Sequence, residues 1–187
     1  MIVPNLSNLS ANQARAIRAA VATLAVTATV LTGIALREDW RGDAYIPVKG
    51  DVPTIGFGST KGVRMGDKIT VARSLVRLND EVEGVYASAL KKCITAPLHM
   101  HEFGALVMLA YNVGAPTVCR KAEPGKPPNL IDLVNAGRYE EACERIKAFN
   151  RGPSPGKDAA GRKIPGPVMA GLVNARAVES AMCRGEV

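Results

Sequence analysis

The chain has 187 residues, of which 47% are hydrophobic and 22% are charged, and its formal net charge is +7. This length and composition suit one domain with a proper core and exclude an intrinsically disordered chain. The positive charge favours an anionic partner, such as anionic lipid or the bacterial cell wall. With only 4% aromatic residues and no block of lysine or arginine, a nucleic-acid partner is not expected.

An uncharged stretch occupies residues 19–36, between Arg18 and Arg37. As a helix it spans about 27 Å, enough to cross the hydrocarbon core of a bilayer. Eleven of its 18 residues are Ala, Thr or Gly and only seven are Val, Leu or Ile, so insertion is predicted to be weak. Arg15 and Arg18 before the stretch favour a cytoplasmic N-terminus, with the rest of the chain across the membrane.

Three interpretations of this stretch are open. A cleaved signal peptide has the required regions, with residues 33–35 as a cleavage site, but cleavage strips Glu38 of the helical turn expected to hold it. The second interpretation is an ordinary buried, alanine-rich helix. The third, which we favour, is a temporary anchor that enters the membrane and later leaves it.

A hairpin is predicted over residues 45–57, because Pro47, Gly50 and Pro53 punctuate it, and its turn is expected at residues 49–51. Residues 54–58 read as a strand that alternates large side chains with glycine from Ile55 onward. Glycines in a strand mark the close approach of a backbone or a ligand, such as a sugar chain, or a tight sheet corner.

The remaining elements are predominantly helical. Residues 71–91 carry apolar side chains near helical spacing behind a candidate N-cap, Thr70, and predict the long helix that joins two lobes. Residues 102–113 are apolar nearly all round, which predicts a buried central helix. The other expectations are a small lobe closed by residues 65–67, loops at 120–130 and 151–167, two short helices within 129–149 around Gly137, and a last helix over 168–182.

Three motifs occur in order along residues 38–183. Glu38 is followed by Ala-Tyr and by Thr-Ile-Gly-x-Gly, residues 98–114 read LHMHEFGALVMLAYNVG, and residues 165–179 read PGPVMAGLVNARAVE. Together these motifs resemble the phage-type lysozymes of glycoside hydrolase family 24. The resemblance implies a mainly helical α+β fold of two lobes, with a small β-hairpin lobe, a long linking helix and a helical C-terminal lobe.

The family's site consists of a Glu, an Asp and a Thr on and beside the first hairpin. Glu38 and Thr54 match, but the usual Asp position holds Pro47, so Asp51 is the expected second carboxylate and Asp43 the alternative. Asp51 also reads as an ordinary turn residue. The resemblance implies that Glu38 is the general acid, that Asp51 is the base, that Thr54 positions a water molecule, and that the anomeric carbon is inverted. We expect burial to raise the pKa of Glu38 and keep it protonated, while the positive charge of nearby arginines opposes this rise. The substrate contacts expected with them are Tyr45, Gly56, Phe57 and Asn112.

The four cysteines are even in number, which in a protein outside the cytoplasm suggests two disulfides with three possible pairings. The family resemblance implies Cys93–Cys119 and Cys143–Cys183; free buried thiols are the alternative. A zinc site that combines cysteines with His99 and His101 is not expected, because the spacing matches no finger pattern. We therefore expect neither a metal nor a cofactor.

The resemblance implies a phage endolysin that cleaves peptidoglycan between N-acetylmuramic acid and N-acetylglucosamine. It extends to signal-anchor-release endolysins, with residues 1–36 as the anchor and residues 37–187 as the catalytic domain. We expect a monomer tethered at the periplasmic face of the host inner membrane and then released into the periplasm. The alternatives are a lytic transglycosylase acting on the same bond and a non-catalytic wall-binding protein, because a fold does not guarantee chemistry.

Overall fold

The computed structural model describes residues 18–48 and 50–186. Short 3-10 turns occupy Val21–Thr23 and Ile146–Ala148, and a π-helical segment occupies Val82–Ala87. The helices and strands are, in order, α1 Ala28–Arg37, β1 Arg41–Tyr45, β2 Thr54–Gly56, α2 Val71–Glu81, α3 Ser88–Cys93, α4 Met100–Val113, α5 Ala115–Val118, α6 Leu130–Asn135, α7 Tyr139–Arg145 and α8 Ala170–Cys183. The mainly helical α+β architecture with one hairpin is as predicted.

The hairpin begins earlier and ends sooner than predicted. β1 and β2 are antiparallel, with Arg41 opposite Gly56 and Tyr45 opposite Thr54. The loop between them holds two prolines, which have no N–H for a ladder, so the first strand lies before residue 46 and not after it. Asp51 N–H donates to the Val48 carbonyl at 2.9 Å in this loop. Residue 49 of the predicted turn lies outside the described residues.

The second strand stops at Gly56, whose φ of 66° turns the chain back on itself. Ile55 and Ser59 then exchange two backbone hydrogen bonds, at 2.9 and 3.0 Å. The predicted strand over residues 54–58 is therefore wrong beyond Gly56: the alternation with glycine produces a tight corner there.

The linking helix starts at Thr70, whose hydroxyl accepts a hydrogen bond from the Arg73 N–H at 3.3 Å. It runs through the π-helical segment and ends at Cys93, two residues beyond the predicted end. The buried positions Leu78, Val82, Ala87 and Leu90 are spaced by four, five and three residues, and the step of five spans the π segment. Such segments often occur at functional sites.

The helical lobe is built around α4, which is buried over nearly its whole length, as predicted. Its N-terminus carries a capping box in which the Glu102 carboxylate accepts from the His99 N–H at 2.8 Å. α8 packs along α4, and the chain turns between α6 and α7 at Gly137, with φ of 71°. The disulfides join the pairs that the family resemblance implies: Cys93–Cys119 and Cys143–Cys183.

The uncharged N-terminal stretch is folded onto this lobe. Val30 and Ile34 of α1 are fully buried in the same core as α4. The two helices approach closely through glycines: a Cβ atom on Gly33 would lie 2.9 Å from Met108 Cε, and one on Gly104 would lie 2.8 Å from Val30 Cγ2. In the part of the chain that the structure describes, no helix combines the length and apolarity needed to cross a bilayer.

Candidate active site

Glu38 is placed by the end of α1. Its N–H donates to the Ile34 carbonyl at 2.9 Å and closes the last turn of the helix. Its side chain is 29% exposed, so the carboxyl group is half-buried with access to solvent. The position of the candidate acid therefore depends on α1 being helical and docked on the core.

The turn after β2 passes directly beside this carboxyl group. A Cβ atom on Gly58 would lie 3.5 Å from Glu38 Oε2 and 3.5 Å from the Tyr111 hydroxyl, and the φ of Gly58 is 86°. The Tyr111 hydroxyl donates to the Phe57 carbonyl at 2.5 Å and so joins α4 to the turn. Glycine at position 58 thus permits both the backbone conformation and the close approach to Glu38.

Burial raises the pKa of the Glu38 carboxyl, and the charge of Arg37 opposes that rise. Burial, followed by the negative charges of Glu38 and Glu81, raises the pKa of Tyr111, and the same causes raise that of Tyr86. The two tyrosine rings contact each other, with centroids 5.1 Å apart. The site therefore combines a carboxyl group whose pKa is raised with two phenols whose pKa values are also raised, an arrangement suited to general acid catalysis.

Asp51 and Thr54 both bind the peptide groups of Val52. Asp51 Oδ1 accepts from the Val52 N–H at 2.8 Å, and the Thr54 hydroxyl donates to the Val52 carbonyl at 3.1 Å. Asp51 is exposed, whereas Thr54 is buried at the start of β2. The alternative carboxylate, Asp43, forms an exposed ion pair with Lys68 at 2.9 Å.

The expected substrate contacts occupy different environments. A Cβ atom on Gly56 would lie 3.0 Å from Ser74 Oγ, so this glycine admits a helix and not a ligand. The Phe57 ring is buried in the core, which leaves its backbone as the part that reaches the site. Asn112 Oδ1 accepts from Arg176 Nη2 at 2.9 Å, and Tyr45 lines a surface depression on β1 with its neighbours.

Sequence reasoning missed several residues around Glu38. Gly58 lies beside the Glu38 carboxyl group and the Tyr111 hydroxyl, and both residues belong to the quoted motifs. Tyr86, whose ring contacts that of Tyr111, lies outside those motifs, and no sequence signal indicated it. Arg37 and Glu179 form an ion pair across 142 positions of sequence. No local pattern indicates such a pair, although a charged residue within the apolar closing motif was a signal.

The family model for phage lysozyme matches residues 36–179. The chain belongs to the phage lysozyme family. This match covers Glu38, the hairpin, the linking helix and α4, and it ends at Glu179 in α8. Membership places the chain among enzymes that cleave peptidoglycan.

Relatives within the family agree over most of the chain. The SAR-endolysin of Pseudomonas phage phiKMV is 32% identical over 162 residues, which cover 85% of this chain and 88% of the relative. Among solved structures, an endolysin from Escherichia coli O157:H7 phage FAHEc1 is 28% identical with a TM-score of 0.70, over 88% of this chain and 96% of its own. The active form of the P1 phage endolysin Lyz shares the fold, with a TM-score of 0.68, 19% identity and 89% of both chains covered.

Proposed function

We propose that this protein is a phage endolysin that hydrolyses the β-1,4 bond between N-acetylmuramic acid and N-acetylglucosamine in peptidoglycan. The observation that carries the proposal is the environment of Glu38. Its carboxyl group lies at the end of α1 beside the Gly58 turn, and burial raises its pKa. A carboxyl group with a raised pKa holds its proton to higher pH and can donate it to the leaving glycosidic oxygen.

In this mechanism Asp51 is the general base, and the Thr54 hydroxyl positions the attacking water. Asp51 is favoured over Asp43 because its carboxylate is free of cationic partners in the described contacts, whereas Asp43 is paired with Lys68. Asp51 and Thr54 lie on one short segment, and the side chains of both residues form hydrogen bonds with the backbone of Val52. Inversion at the anomeric carbon follows if a water molecule fits between Glu38 and Asp51.

Product analysis tests this proposal. Purified peptidoglycan is digested with the wild type, Glu38→Gln, Asp51→Asn and Asp43→Asn, and the fragments are identified by mass spectrometry. We expect reducing muramic ends from the wild type and Asp43→Asn, and losses of about 100- to 10,000-fold in the other two variants. Full activity in Glu38→Gln would contradict the proposed acid, and full activity in Asp51→Asn would contradict the proposed base.

A lytic transglycosylase is the second candidate. It needs the acid but no base that activates water, and the exposed position of Asp51 on a loop favours it. Its products carry anhydro ends in place of reducing ends, so the same spectra separate the two reactions. A wall-binding protein without activity yields no new ends at all.

We further propose that residues 1–36 tether the chain to the host inner membrane on its periplasmic side before release into the periplasm. The uncharged stretch at 19–36 and the 32% identity to a SAR-endolysin support this proposal. Residues 37–187 then form the catalytic domain onto which the released segment docks. Because Glu38 directly follows α1, docking of that helix is what brings the acid into the site.

The tether is tested with substitutions on the exposed side of the segment. Ala22, Ala25 and Ala28 are exposed, so changing all three to Leu strengthens membrane insertion without displacing a core residue. We expect the triple Leu variant to remain in the membrane fraction and to delay lysis. The matched control changes the same alanines to Ser. Release and lysis at the wild-type time in the Leu variant would overturn the tether.

A further inference from the structure

A buried group of charges lies behind Glu38. Glu179 of α8 has no exposed surface, and its Oε1 pairs with Arg37 Nη1 at 2.5 Å. Its other oxygen, Oε2, lies 3.0 Å from Nη1 of Arg176, which is also fully buried. Arg176 reaches Asn112 on α4, so this group joins the C-terminal ends of α1 and α4 to the middle of α8.

The Arg37 guanidinium faces two carboxylates. Its Nη atoms bind Glu179 and, at 3.4 Å, the Met108 carbonyl. Its Nε atom lies 3.8 Å from Glu38 Oε1 and has no hydrogen-bond partner among the described residues. Arg37 is therefore held by Glu179 at a distance from Glu38 that is too long for a hydrogen bond.

We propose that Glu179 is a positioning residue for Glu38, because it holds the Arg37 guanidinium away from the catalytic carboxyl group. Without Glu179, the carboxylate that remains within reach of Arg37 among the described residues is that of Glu38. A close Arg37–Glu38 ion pair would stabilise the ionised form of Glu38, which cannot donate a proton. This inference rests on the proposed role of Glu38 as the general acid.

Among the described residues, the titratable side chains that face Glu38 are Arg37 from α1, Tyr111 from α4 and Tyr86 from the π-helical segment. Both phenols are neutral near pH 7, because burial and nearby negative charge raise their pKa values. The turn after β2 presents the backbone of Gly58. Arg37 is thus the one cation that lowers the pKa of Glu38 in the described structure, and its position decides how strongly.

The test compares the full chain with Glu179→Gln, Arg37→Gln and the double variant. The titration of the Glu38 carboxyl carbon is followed by NMR, and lytic kcat/KM is measured against pH. In Glu179→Gln we expect the pKa of Glu38 to fall by about one unit, and the high-pH limb of kcat/KM to move down with it. Arg37→Gln should raise the pKa, and the double variant should show no effect of Glu179→Gln.

The matched control is Glu141→Gln, which breaks an exposed Arg–Glu pair on α7 and should leave both curves unchanged. An unchanged Glu38 titration in folded Glu179→Gln overturns the inference, even if the variant is less stable. If Glu179→Gln does not fold, Arg37→Gln decides, since an unchanged titration there also overturns it. Failure of the proposed function gives a different result. Glu38→Gln would then remain active, while the Glu38 titration would still shift in Glu179→Gln and Arg37→Gln.

Discussion

The ionisation of Glu38 affects stability as well as activity. Burial raises its pKa above that of the unfolded chain, so the folded state binds the proton more tightly. The stability that this proton contributes is therefore fully present below the unfolded pKa and is lost as pH rises through the folded pKa. Activity that requires protonated Glu38 should fall as pH rises through the same folded pKa.

We predict that Glu38→Gln removes this pH dependence. Between about pH 4 and about pH 8, the midpoint of thermal unfolding of the wild type should fall relative to that of Glu38→Gln, because only the wild type must bury an ionised carboxylate. Calorimetry at both pH values measures the difference. Glu123→Gln, in the exposed loop before α6, is the control and should follow the wild type. Parallel curves for wild type and Glu38→Gln would contradict the burial of this group.

Tyr111 supplies a second prediction at this scale. Tyr111→Phe removes the hydroxyl that donates to the Phe57 carbonyl, at a cost of about 1 kcal/mol in the free energy of unfolding. Because that bond holds the turn beside Glu38, lytic kcat should fall as well. Tyr139→Phe is a matched control, since its hydroxyl donates to the Pro97 carbonyl at 2.8 Å, remote from Glu38. Equal kcat values in the two variants would show that the Tyr111 bond has no part in catalysis.

At the scale of elements, an arginine at each end of the N-terminal segment forms an ion pair with a glutamate of the helical lobe. Arg37 pairs with Glu179, and Arg18 binds Glu102 through Nε at 3.1 Å and Nη2 at 2.5 Å. Arg18 also stacks over the ring of Tyr139, 3.8 Å from its centroid. The arginines that flank the uncharged stretch in the sequence therefore add an ion pair at each end to the packing of Val30 and Ile34.

We predict that Arg18→Gln loosens this segment. It leaves the Glu102 carboxylate, which is 4% exposed, without its cation, and the loss of hydrogen bonds to a charged group costs about 1.5–3 kcal/mol. Limited proteolysis within residues 19–27 should accelerate, and the midpoint of unfolding should fall. Arg138→Gln breaks an exposed pair and should change neither measurement. Equal proteolysis rates in the two variants would mean that Arg18 does not hold the segment.

Helices with a clear apolar period were predictable, and α4 and the linking helix lie within two residues of their predicted bounds. β1 was not, because Arg41–Tyr45 has no alternation of apolar and polar residues, and its register depends on partners beyond the turn. Glu38 followed from the family motif. The pairing of Arg37 with Glu179 did not, because it depends on how α1 and α8 meet in three dimensions.

For the whole molecule, both disulfides lie in the helical lobe and close loops of 26 and 40 residues. Loop entropy gives each about 3–4 kcal/mol of stabilisation. We predict that a reductant lowers the free energy of unfolding by this amount per bond. Denaturant titration with and without reductant measures the change, and the Cys143→Ser/Cys183→Ser variant should retain only the response of the other bond. Insensitivity of the wild type to the reductant would contradict a structural role for the bonds.

The close contact of α1 with α4 has a consequence for how this sequence can vary. A side chain on Gly33 would press on the end of Met108, whereas Thr29 and Thr32 of the same helix are exposed. If the segment first resides in lipid, its inward side must fit one protein surface, and its outward side is free to set how long it stays there. Lysis timing can then drift between related phages through exposed positions such as Thr29 and Thr32, while the buried contacts that place Glu38 are inherited unchanged.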